Sequence, residues 1–435
     1  MAEKLRIALA GLGTVGAGVI RLLAENGELI SRRAGREISI TAVSARDRGK
    51  DRGVDLSGYA WEDDMTLLAA RDDVDVVVEL VGGSDGPAVA LARTALAGGK
   101  NLVTANKAMV AHHGLELAGL AEANGVSLRY EAAVAGGIPA IKGLGEGAAA
   151  NRIERIYGIL NGTCNYILSE MEATGRDFGD VLSEAQSLGY AEADPTFDIE
   201  GIDAAHKLAI LAALAFGTKL DFAAVDVSGI SRIRAADIGQ ARALGYVIRL
   251  IGLADCAADN GDRHLFQRVA PYLVPLRHPL AGVSGPTNAV VAEGNFSGRL
   301  LFEGAGAGDG PTASAVVADI IDIARGNVLP PFSLPVDTLQ DSAPADPGNR
   351  RNRAYVRFMV ADRPGVLAEI TAAMRDAGVS IESFIQKGQE EDGDEPVLVA
   401  MVTHDGPEGS VTKALDLLQG SASLVEEPLV MRLLG

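Results

Sequence analysis

The chain has 435 residues, of which 48% are hydrophobic, and it carries a formal net charge of −19 from 39 basic and 58 acidic side chains. The length predicts about three domains, and the apolar content excludes a disordered chain. The negative charge argues against nucleic acid or an anionic membrane surface as a partner.

The distribution of apolar residues and cysteines indicates the cellular compartment in which the protein is found. The longest glycine-free apolar run, Leu208–Phe216, is too short for a transmembrane helix, which needs about 18 residues or more. The N-terminus has no basic segment followed by an apolar signal core. Two cysteines without a Cys-x-x-Cys motif are typical of a reducing environment. We therefore expect a cytoplasmic protein without a membrane-spanning segment.

The first predicted elements are a strand, a glycine-rich turn and a helix. Leu5–Leu9 reads as a short apolar strand, G-x-G-x-x-G follows it, and Thr14–Glu25 has helical periodicity. In this context the glycines let the backbone approach a pyrophosphate, and the helix N-terminus supplies amide donors. A glycine-rich turn without a nucleotide is the alternative. The residues of this turn that we expect at the cofactor are Gly11, Gly13, Thr14, Val15 and Gly16.

Basic residues follow the second predicted strand, Ile38–Ser44. An acidic residue usually stands there in NAD-binding sites. This chain instead has Arg46 and Lys50, with Asp47 between them. The two cations would suit a ribose phosphate, which favours NADP over NAD. A solvated basic loop and dual specificity remain open.

Further alternation of strands and helices predicts a doubly wound parallel sheet. The predicted strands are 74–81, 101–103 and 126–131, and the predicted helices are 87–96 and 110–123. Ligands bind such sheets at the carboxyl ends of the strands. Three polar residues, Ser84, Thr104 and Lys107, fall at these ends, and we expect them to contact cofactor or substrate.

The character of the sequence changes to α+β after residue 135. Strands are predicted at Arg152–Leu160 and between Val225 and Phe302, with helices at Asn165–Glu172 and Ala204–Phe216. Such a second domain usually carries substrate and subunit contacts in dehydrogenases. A glycine-rich loop that contains Gly308 leads into a last helix, 312–326, which could return to the nucleotide domain.

An acidic turn precedes the most apolar helix. Five carboxylates lie between Glu192 and Asp203, and Lys207 follows on the helix. Asp203 and Lys207 are four residues apart, so they share one helix face and can pair. A lysine among apolar residues needs a cleft or a partner, and one held by a carboxylate can give a proton to an alkoxide. A solvated acidic turn before a core helix is the alternative.

Several segments together closely resemble one enzyme family. They are GLGTVG, VTANKA, YEAAVAGGIP, GILNGTCNYIL, GYAEADPTFDIEGIDAAHKLAIL and GAGAGDGPTASAVV, in this order over residues 4–326. The combination resembles homoserine dehydrogenases. The resemblance implies NAD(P)-dependent interconversion of L-aspartate 4-semialdehyde and L-homoserine, in threonine and methionine biosynthesis. Another NADP-linked dehydrogenase of an amino-acid aldehyde is an alternative. A non-catalytic amino-acid sensor is a second one, although Lys207 and Asp203 are both present.

The resemblance also implies roles for individual residues. Lys207 would be the acid–base residue, and Asp203 would orient it. Glu192, with Asp198 nearby, would bind the substrate. Lys107 would be the second lysine of the site, close to both cofactor and substrate, and how the two lysines divide the work stays open. The cofactor would contact the glycine-rich turn together with Arg46, Lys50, Ser84, Thr104, Lys107 and Gly308.

A monovalent cation, usually sodium, is a further implication of the resemblance. Family members bind it through a glutamate and nearby backbone carbonyls, and the matching positions are Glu131, Val134, Gly136 and Ile138. Oxygen ligands suit a hard cation. Without the resemblance, Glu131 would be read as a glutamate that ends a strand.

Cys164 could be read as a thiol nucleophile. No histidine motif around it would serve as its base, and thiol chemistry depends on thiolate formation. A small structural residue is the favoured interpretation. His206 is interpreted as a helix-face residue, because no second histidine stands at ligand spacing.

The C-terminal part follows a proline-rich segment. Residues 329–353 contain five prolines and are predicted to be a semi-rigid linker, so that residues 354–435 fold as a separate unit. That unit reads as a βαββ ferredoxin-like module, and its DRPGVLAEI segment resembles ACT domains, which bind amino acids. A generic dimerising unit is the alternative. The resemblance implies an amino-acid effector, threonine before others, near Gly365. The acidic loop Glu390–Glu395 is expected to be solvated.

We therefore predict an α/β protein of three domains. Residues 1–135 would form a Rossmann-type nucleotide domain, 136–328 an α+β catalytic and dimerisation domain, and 354–435 the ACT domain. The expected partners are a small-molecule substrate, an amino-acid effector and further copies of the chain in a homodimer or homotetramer.

Overall fold

A computed structural model describes residues 3–259, 262–387 and 396–435. Its N-terminal unit is built on a six-stranded parallel sheet with the order β3-β2-β1-β4-β5-β6. The strands are β1 (Leu5–Ala10), β2 (Ile38–Ser44), β3 (Ala60–Trp61), β4 (Val76–Glu79), β5 (Asn101–Thr104) and β6 (Leu128–Arg129). This is the strand order of dinucleotide-binding sheets. The predicted Rossmann-type fold is therefore confirmed.

The apolar residues of its strands explain why this sheet is buried on both faces. The three valines of β4 are completely buried, as strands of a parallel sheet between helices should be. The covering helices are α1 (Thr14–Ala34), α2 (Pro87–Ala97) and α3 (Lys107–Ala123). α1 runs well beyond the predicted end at Glu25 and stops at Gly35, whose φ of 77° is suited to a helix C-cap.

The second unit surrounds an antiparallel sheet with the order β12-β11-β7-β9-β10. The strands are β7 (Ile153–Ile159), β9 (Tyr246–Asp259), β10 (Asp262–Pro275), β11 (Thr287–Gly294) and β12 (Gly298–Ala305), with the short β8 (Asp226–Val227) beside β10. The helices are α4 (Ala140–Lys142), α5 (Gly162–Thr174), α6 (Phe178–Ser187), α7 (Thr196–Ile199), α8 (Ile202–Phe216) and α9 (Ala235–Ala243). Nearly all of α8 is buried against this sheet, so its few polar residues lie inside the molecule.

Helix α10 (Asp309–Ala324) lies against the nucleotide-binding unit. It packs along α1, and its buried Val316 and Ile320 belong to the same core as β1. Gly18 of α1 makes this contact close, because a Cβ there would lie 2.9 Å from the backbone oxygen of Asp309. The chain thus leaves the first unit after β6 and comes back to it at α10.

The C-terminal unit has a βαββαβ arrangement with the strand order β19-β15-β17-β16. Its elements are β15 (Ala354–Val360), α11 (Val366–Asp376), β16 (Ile381–Lys387), β17 (Val397–Thr403), β18 (Gly406–Pro407), α12 (Glu408–Leu417) and β19 (Leu429–Leu433). The predicted ferredoxin-like class is confirmed. The predicted acidic loop Glu390–Glu395 lies outside the described residues.

The expectation that this unit folds separately on a spacer is corrected. β19 pairs in parallel with β10, so the sheets of the second and third units are continuous. The preceding segment is packed against the second unit rather than extended, since Phe332 is fully buried and β13 (Ala343–Pro344) pairs with β10. The short β14 (Arg351–Asn352) then pairs with β18. Proline content predicted a stiff segment, but it carried no information about the surface on which the segment lies. Among the described residues, no helix has the length and apolar character needed to cross a membrane.

Candidate active site

The glycine-rich turn after β1 forms an open cradle. Gly11 has φ +98°, and a Cβ there would lie 2.6 Å from the backbone oxygen of Leu80. A Cβ on Gly16 would lie 2.2 Å from the oxygen of Gly11, whereas nothing lies within 4 Å of a Cβ position on Gly13. The first and third glycines are thus needed for packing, and the middle one leaves free space at the N-terminus of α1. This geometry fits a pyrophosphate group.

A second helix N-terminus lies beside this cradle. Gly308, with φ +118°, is the N-cap of α10. Arg21 of α1 and Asp309 of α10 form an ion pair of 2.6 Å, which holds the two helix starts together. Val15 and Gly308 both line the same cleft. Two helix N-termini aimed at one space favour an anionic ligand.

The basic loop after β2 is exposed at Arg46 and Lys50. Sequence reasoning did not single out Arg52, which fixes this loop to the glycine-rich turn. Its Nε donates to the backbone oxygen of Leu12 at 2.9 Å, and its guanidinium also donates to the backbone oxygen of Asp47. The local sequence does not distinguish Arg52 from its basic neighbours, because its partner, the backbone oxygen of Leu12, lies 40 residues earlier in the chain.

Ser84 and Thr104 lie at the carboxyl ends of strands, but their hydroxyl groups have protein partners. Ser84 Oγ donates to Asp85 at 2.9 Å. Thr104 is fully buried, and its Oγ1 donates to Glu79 Oε2 at 2.6 Å and accepts from the Asn106 amide at 2.9 Å. The Thr104 side chain therefore shapes the end of the strand from within the core.

A cleft of about 740 Å³ separates the first two units. The nucleotide-binding side contributes Val15 and Lys107, and the second unit contributes Asp198, Asp203 and Lys207. Small residues of the loop before α10 form one wall. The cleft therefore joins the glycine-rich cradle to the acidic turn and the buried lysine.

Asp203 is the centre of the polar residues in this cleft. It is 3% exposed, and its Oδ2 accepts from Lys207 Nζ at 2.6 Å. Its Oδ1 pairs with Lys107 Nζ at 2.9 Å. Asn161 Nδ2 donates to Oδ2 at 2.9 Å. One buried carboxylate thus holds two lysines that come from different units of the fold.

Lys207 is held more firmly than Lys107. Besides Asp203, its ammonium donates to the backbone oxygen of Leu160 at 2.8 Å. These two bonds use two of its three hydrogens, and among the described residues the third has no partner. Lys107 has a side chain that is 34% exposed, and its ammonium lies 5.7 Å from the centre of the Phe197 ring. Lys207 can therefore direct one hydrogen into the cleft from a fixed position.

The charges of this cluster stabilise one another. Burial alone would raise the pKa of Asp203, but the ammonium groups of Lys207 and Lys107 outweigh it and lower that pKa. Burial likewise opposes the charge of Lys107, yet the nearby Asp203 carboxylate raises the pKa of the lysine overall. The carboxylate and the Lys107 ammonium are therefore both charged at neutral pH.

Asp198 lies beside this cluster on α7. Its Oδ1 accepts from Asn161 Nδ2 at 2.8 Å, and its Oδ2 accepts from Thr163 Oγ1 at 3.2 Å. Burial, and then the Asp203 charge, raise the pKa of Asp198. Glu192 lies on the exposed loop before α7, and its charge contributes to the raised pKa of Lys107. The structure thus brings Asp198 into the cleft and leaves Glu192 at its rim.

Asn161 and Thr163 were missed by sequence reasoning. Asn161 is the N-cap of α5, where its Oδ1 accepts from the Cys164 amide at 2.8 Å. Asparagine before an apolar helix is a recognisable cap signal. Its contacts with acids 37 and 42 residues later could not be inferred from spacing.

The residues considered for a cation lie beside the cleft, and one of them, Gly136, lines it. Glu131 is 2% exposed, and its two side-chain oxygens accept from the backbone amides of Ile141 and Lys142 at 2.9 Å each. Burial raises the pKa of Glu131 to about 7, with a further contribution from Asp319. The Lys142 ammonium bonds Asp319 rather than Glu131, at 3.1 Å. Among the described residues, the Glu131 carboxylate therefore has no ion-pair partner, which fits a bound monovalent cation.

The backbone of this segment is turned tightly. Gly136 has φ +58°, and a Cβ there would lie 2.4 Å from the Gly306 oxygen. The backbone oxygen of Ile138 accepts from the Ala140 amide at 2.8 Å, so one lone pair of this carbonyl is already used. Val134 is buried. The segment is thus tightly turned and buried, and the Ile138 carbonyl keeps one lone pair for a further partner.

Cys164 and His206 are buried beside the cleft. Burial raises the pKa of Cys164 far above its usual value, and its Sγ donates to the Asp198 backbone oxygen at 3.1 Å. These facts oppose thiolate formation. His206 Nε2 lies 3.3 Å from His112 Nε2, and its ring stacks on Phe222. Burial, with a smaller effect of His112, lowers the pKa of His206 to about 4.

Comparisons with known proteins cover nearly the whole chain. Three family models match, described as "Homoserine dehydrogenase" at residues 139–321, "Homoserine dehydrogenase, NAD binding domain" at residues 11–131 and "ACT domain" at residues 354–418. The homoserine dehydrogenase of Pseudomonas aeruginosa is 44% identical over 96% of each chain. That of Neisseria gonorrhoeae is 45% identical over 99% of this chain and 98% of its own.

Solved structures of homoserine dehydrogenases are also similar to this chain. The crystal structure of a homoserine dehydrogenase from Thiobacillus denitrificans is 43% identical, with a TM-score of 0.91 over 99% of this chain and 98% of its own. A hyperthermophilic archaeal homoserine dehydrogenase in complex with NADPH is 28% identical, with a TM-score of 0.60 over 74% of this chain and 97% of its own.

Proposed function

The chain belongs to the homoserine dehydrogenase family and is an NAD(P)-dependent oxidoreductase, and we propose that Lys207 transfers the proton when L-aspartate 4-semialdehyde and L-homoserine are interconverted in its cleft. When bound, a nicotinamide cofactor would supply or take up the hydride at the carbon of the substrate's carbonyl or alcohol group. The residues that bind it belong to the glycine-rich cradle and to the loop before α10. The remaining tasks, which are positioning the substrate and moving the proton, belong to side chains of the cleft.

The observation that carries this proposal is the pair of bonds on Lys207. With two hydrogens fixed by Asp203 and the Leu160 oxygen, the third is available to a carbonyl oxygen in the cleft. As hydride reaches the carbonyl carbon, negative charge develops on that oxygen, and a positioned ammonium can both stabilise it and supply its proton. In the reverse direction, the neutral amine accepts the proton of the homoserine hydroxyl.

Lys107 supports this role from the cofactor side. It shares the Asp203 carboxylate, and it lies at the start of α3, directly after the nucleotide-binding strand β5. Its partial exposure leaves donors free for the substrate or the cofactor. We therefore assign it a binding and electrostatic role and assign proton transfer to Lys207.

The acidic residues are suited to the substrate's own ammonium group. Asp198 lines the cleft without a lysine or arginine partner among the described residues. Glu192 lies on the exposed loop before α7, near enough for its charge to act on Lys107, and we propose that it contacts the same group. Together they account for recognition of an amino acid rather than a simple aldehyde.

NADP is the cofactor that we favour over NAD. The exposed Arg46 and Lys50 follow β2, where the ribose of a dinucleotide would lie, and Asp47 uses its Oδ1 to accept from the Gly49 amide at 2.8 Å. Among the described residues, neither cation has a side-chain partner, while Asp47 and Asp51 each accept a backbone amide hydrogen within the same loop.

A monovalent cation, sodium before others, is proposed at Glu131 with the backbone oxygens of Val134, Gly136 and Ile138. The buried Glu131 carboxylate, which has no ion-pair partner among the described residues, supports this proposal. Sodium chloride should raise the melting temperature relative to choline chloride at equal ionic strength. Glu131→Gln should abolish that difference. Equal melting curves of the wild-type chain in both salts would contradict the site.

The C-terminal unit is proposed to bind an amino acid and to regulate the enzyme. Gly365 has φ +96°, and none of the described residues lies within 4 Å of a Cβ position there, so the turn is open to a ligand. Threonine, the end product of the pathway that homoserine feeds, is our proposed inhibitor.

We also propose that the enzyme serves threonine and methionine biosynthesis. It would do so as a homodimer or homotetramer in the cytoplasm, where its free cysteines would stay reduced.

The experiment that tests the proposed reaction follows reduced cofactor in the presence of aspartate 4-semialdehyde, with NADPH and NADH in parallel. We expect oxidation of both, with the larger kcat/KM for NADPH, and homoserine as the product. Activity only with other amino-acid aldehydes would favour the alternative dehydrogenase. No turnover with any aldehyde, combined with threonine binding, would favour a sensor.

A further inference from the structure

We propose that Asn161 is a positioning residue that holds the substrate-binding and lysine-orienting carboxylates in one fixed arrangement. Its Nδ2 donates one hydrogen to Asp198 Oδ1 at 2.8 Å and the other to Asp203 Oδ2 at 2.9 Å. Both hydrogens of the amide are thus used, so Asn161 lines the cleft but has no donor left for a ligand. The inference rests on the roles proposed above for Asp198 and Asp203.

The orientation of this amide is fixed by the helix that follows it. Asn161 is 4% exposed and is the N-cap of α5, where its Oδ1 accepts from the Cys164 amide at 2.8 Å. Because the oxygen is held by the helix start, the nitrogen must face the acids. One side chain therefore connects three elements, namely the start of α5, the turn α7 and the start of α8.

The two carboxylates need such a bridge because they repel each other. Asp203 is compensated by Lys207 and Lys107, whereas Asp198 accepts only neutral donors among the described residues. Of the other ionisable groups nearby, the Cys164 thiol is buried and neutral, while the charges of Glu200 and Glu192 act on Cys164 and on Lys107 respectively. The N–H dipoles of Asn161 favour the charged form of both acids. Without them, Asp198 should take up a proton at higher pH or turn away from the cleft.

Variants at position 161 separate bridging from capping. Serine and aspartate are both good N-caps, so Asn161→Ser and Asn161→Asp should preserve the start of α5, whereas Asn161→Ala should not. Serine removes the bridge, and aspartate replaces it with a third negative charge. The readout is kcat/KM for aspartate 4-semialdehyde as a function of pH, with NADPH saturating.

We expect the acid limb of this profile to move upward by about one pH unit in Asn161→Ser and further in Asn161→Asp. The KM for aspartate 4-semialdehyde should rise about tenfold or more, while the KM for NADPH should stay within about twofold of the wild-type value. The melting temperature should stay near the wild-type value in Asn161→Ser and should fall in Asn161→Ala, which loses the cap, and in Asn161→Asp, which buries a third carboxylate. An unchanged acid limb in Asn161→Ser, or losses of activity that follow melting temperature across the three variants, would overturn the bridging role.

Asp198→Asn distinguishes failure of this inference from failure of the proposed site. If Asp198→Asn raises the KM for aspartate 4-semialdehyde while Asn161→Ser leaves the profile unchanged, the bridge is wrong and the substrate role of Asp198 stands. If Asp198→Asn has no effect on that KM, the role of Asp198 is wrong, and the inference falls with it.

Discussion

Asp203 shows how a single buried carboxylate organises the cleft. Removing one partner from a buried charged pair typically costs about 3–5 kcal/mol, because the other charge is left uncompensated. Asp203 avoids this cost with a lysine on each oxygen and an amide on one of them. The two lysines are therefore held in fixed positions, which is what proton transfer to a bound substrate requires.

The buried His206 leads to a prediction about how the stability of the chain depends on pH. Its folded pKa of about 4 lies below the value of about 6.5 expected in the unfolded chain. As pH falls, the unfolded chain therefore binds the proton first, and the free energy of unfolding decreases between about pH 6.5 and pH 4. His206→Phe should reduce the drop in melting temperature between about pH 7.5 and pH 5.

The matched control for His206 is His404→Phe, because the His404 side chain is 58% exposed. We expect the control to melt like the wild-type chain at both pH values. If His206→Phe loses as much stability on acidification as the wild type does, then His206 is not the titrating group.

At the scale of single residues, sequence predicted the pairs that are close along the chain. Asp203 and Lys207 lie on adjacent turns of one helix, so spacing was sufficient to predict their contact. Lys107 reaches the same carboxylate from 96 positions earlier; strand topology and family resemblance placed it in the site, but neither predicted its pair with Asp203. Asn161 was missed because its capping signal is local while its bridging contacts are not.

At the scale of elements, the basic loop after β2 is the feature that we propose to set cofactor preference. Arg52 fastens this loop to the glycine-rich turn and leaves Arg46 and Lys50 exposed. Replacing both with Ala should raise the KM for NADPH about tenfold or more, and that for NADH much less, because only NADPH carries the extra phosphate. Initial rates with each cofactor give the comparison.

The control for this loop removes the same charge elsewhere. Arg277 and Lys219 are exposed cations of the second unit, and their double Ala variant lowers the net charge equally. It should leave both KM values near those of the wild type. If the Arg46 and Lys50 double variant changes the KM for NADPH and the KM for NADH to the same extent, the loop is a solvated surface that does not contact the phosphate.

Most helices and strands could be predicted from the sequence, and the errors in their predicted ends have local causes. The predicted strand 126–131 ends early, at Arg129, because Glu131 turns inward and accepts from the amides at the start of α4. α1 is longer than predicted because residues 26–34 remain helical up to Gly35, despite a glycine within them. Neither the inward turn nor the extra packing against α10 is visible in local periodicity.

At the scale of the whole molecule, the C-terminal unit is joined to the catalytic unit by a continuous sheet. Buried ion pairs reinforce the junction, with Arg357 of β15 bonded to Asp237 of α9, and Arg268 of β10 bonded to Glu408 of α12 at 2.7 Å. A truncated chain ending near Pro335 would expose this core and the edge of β10. Regulation should therefore be tested in the full chain.

The prediction at this scale concerns threonine. Gly365→Asp should weaken threonine inhibition of the full-length enzyme, by adding bulk and negative charge where an amino-acid carboxylate would bind. Gly378→Asp is the matched control, because Gly378 has φ +76° and equally open surroundings at the other end of α11. It should keep the response. If threonine neither inhibits the wild-type chain nor shifts its melting temperature, threonine is not the effector.

The central claim is that Lys207, held by Asp203, transfers the proton during reduction of aspartate 4-semialdehyde. The most direct test is kcat with NADPH for the wild-type chain and for Lys207→Ala, with Lys219→Ala as the control at an exposed lysine just after α8. We predict that Lys207→Ala lowers kcat by about two to four orders of magnitude. The dissociation constant of NADPH should change little, and the control should be unaffected. A near wild-type kcat in Lys207→Ala would contradict the account.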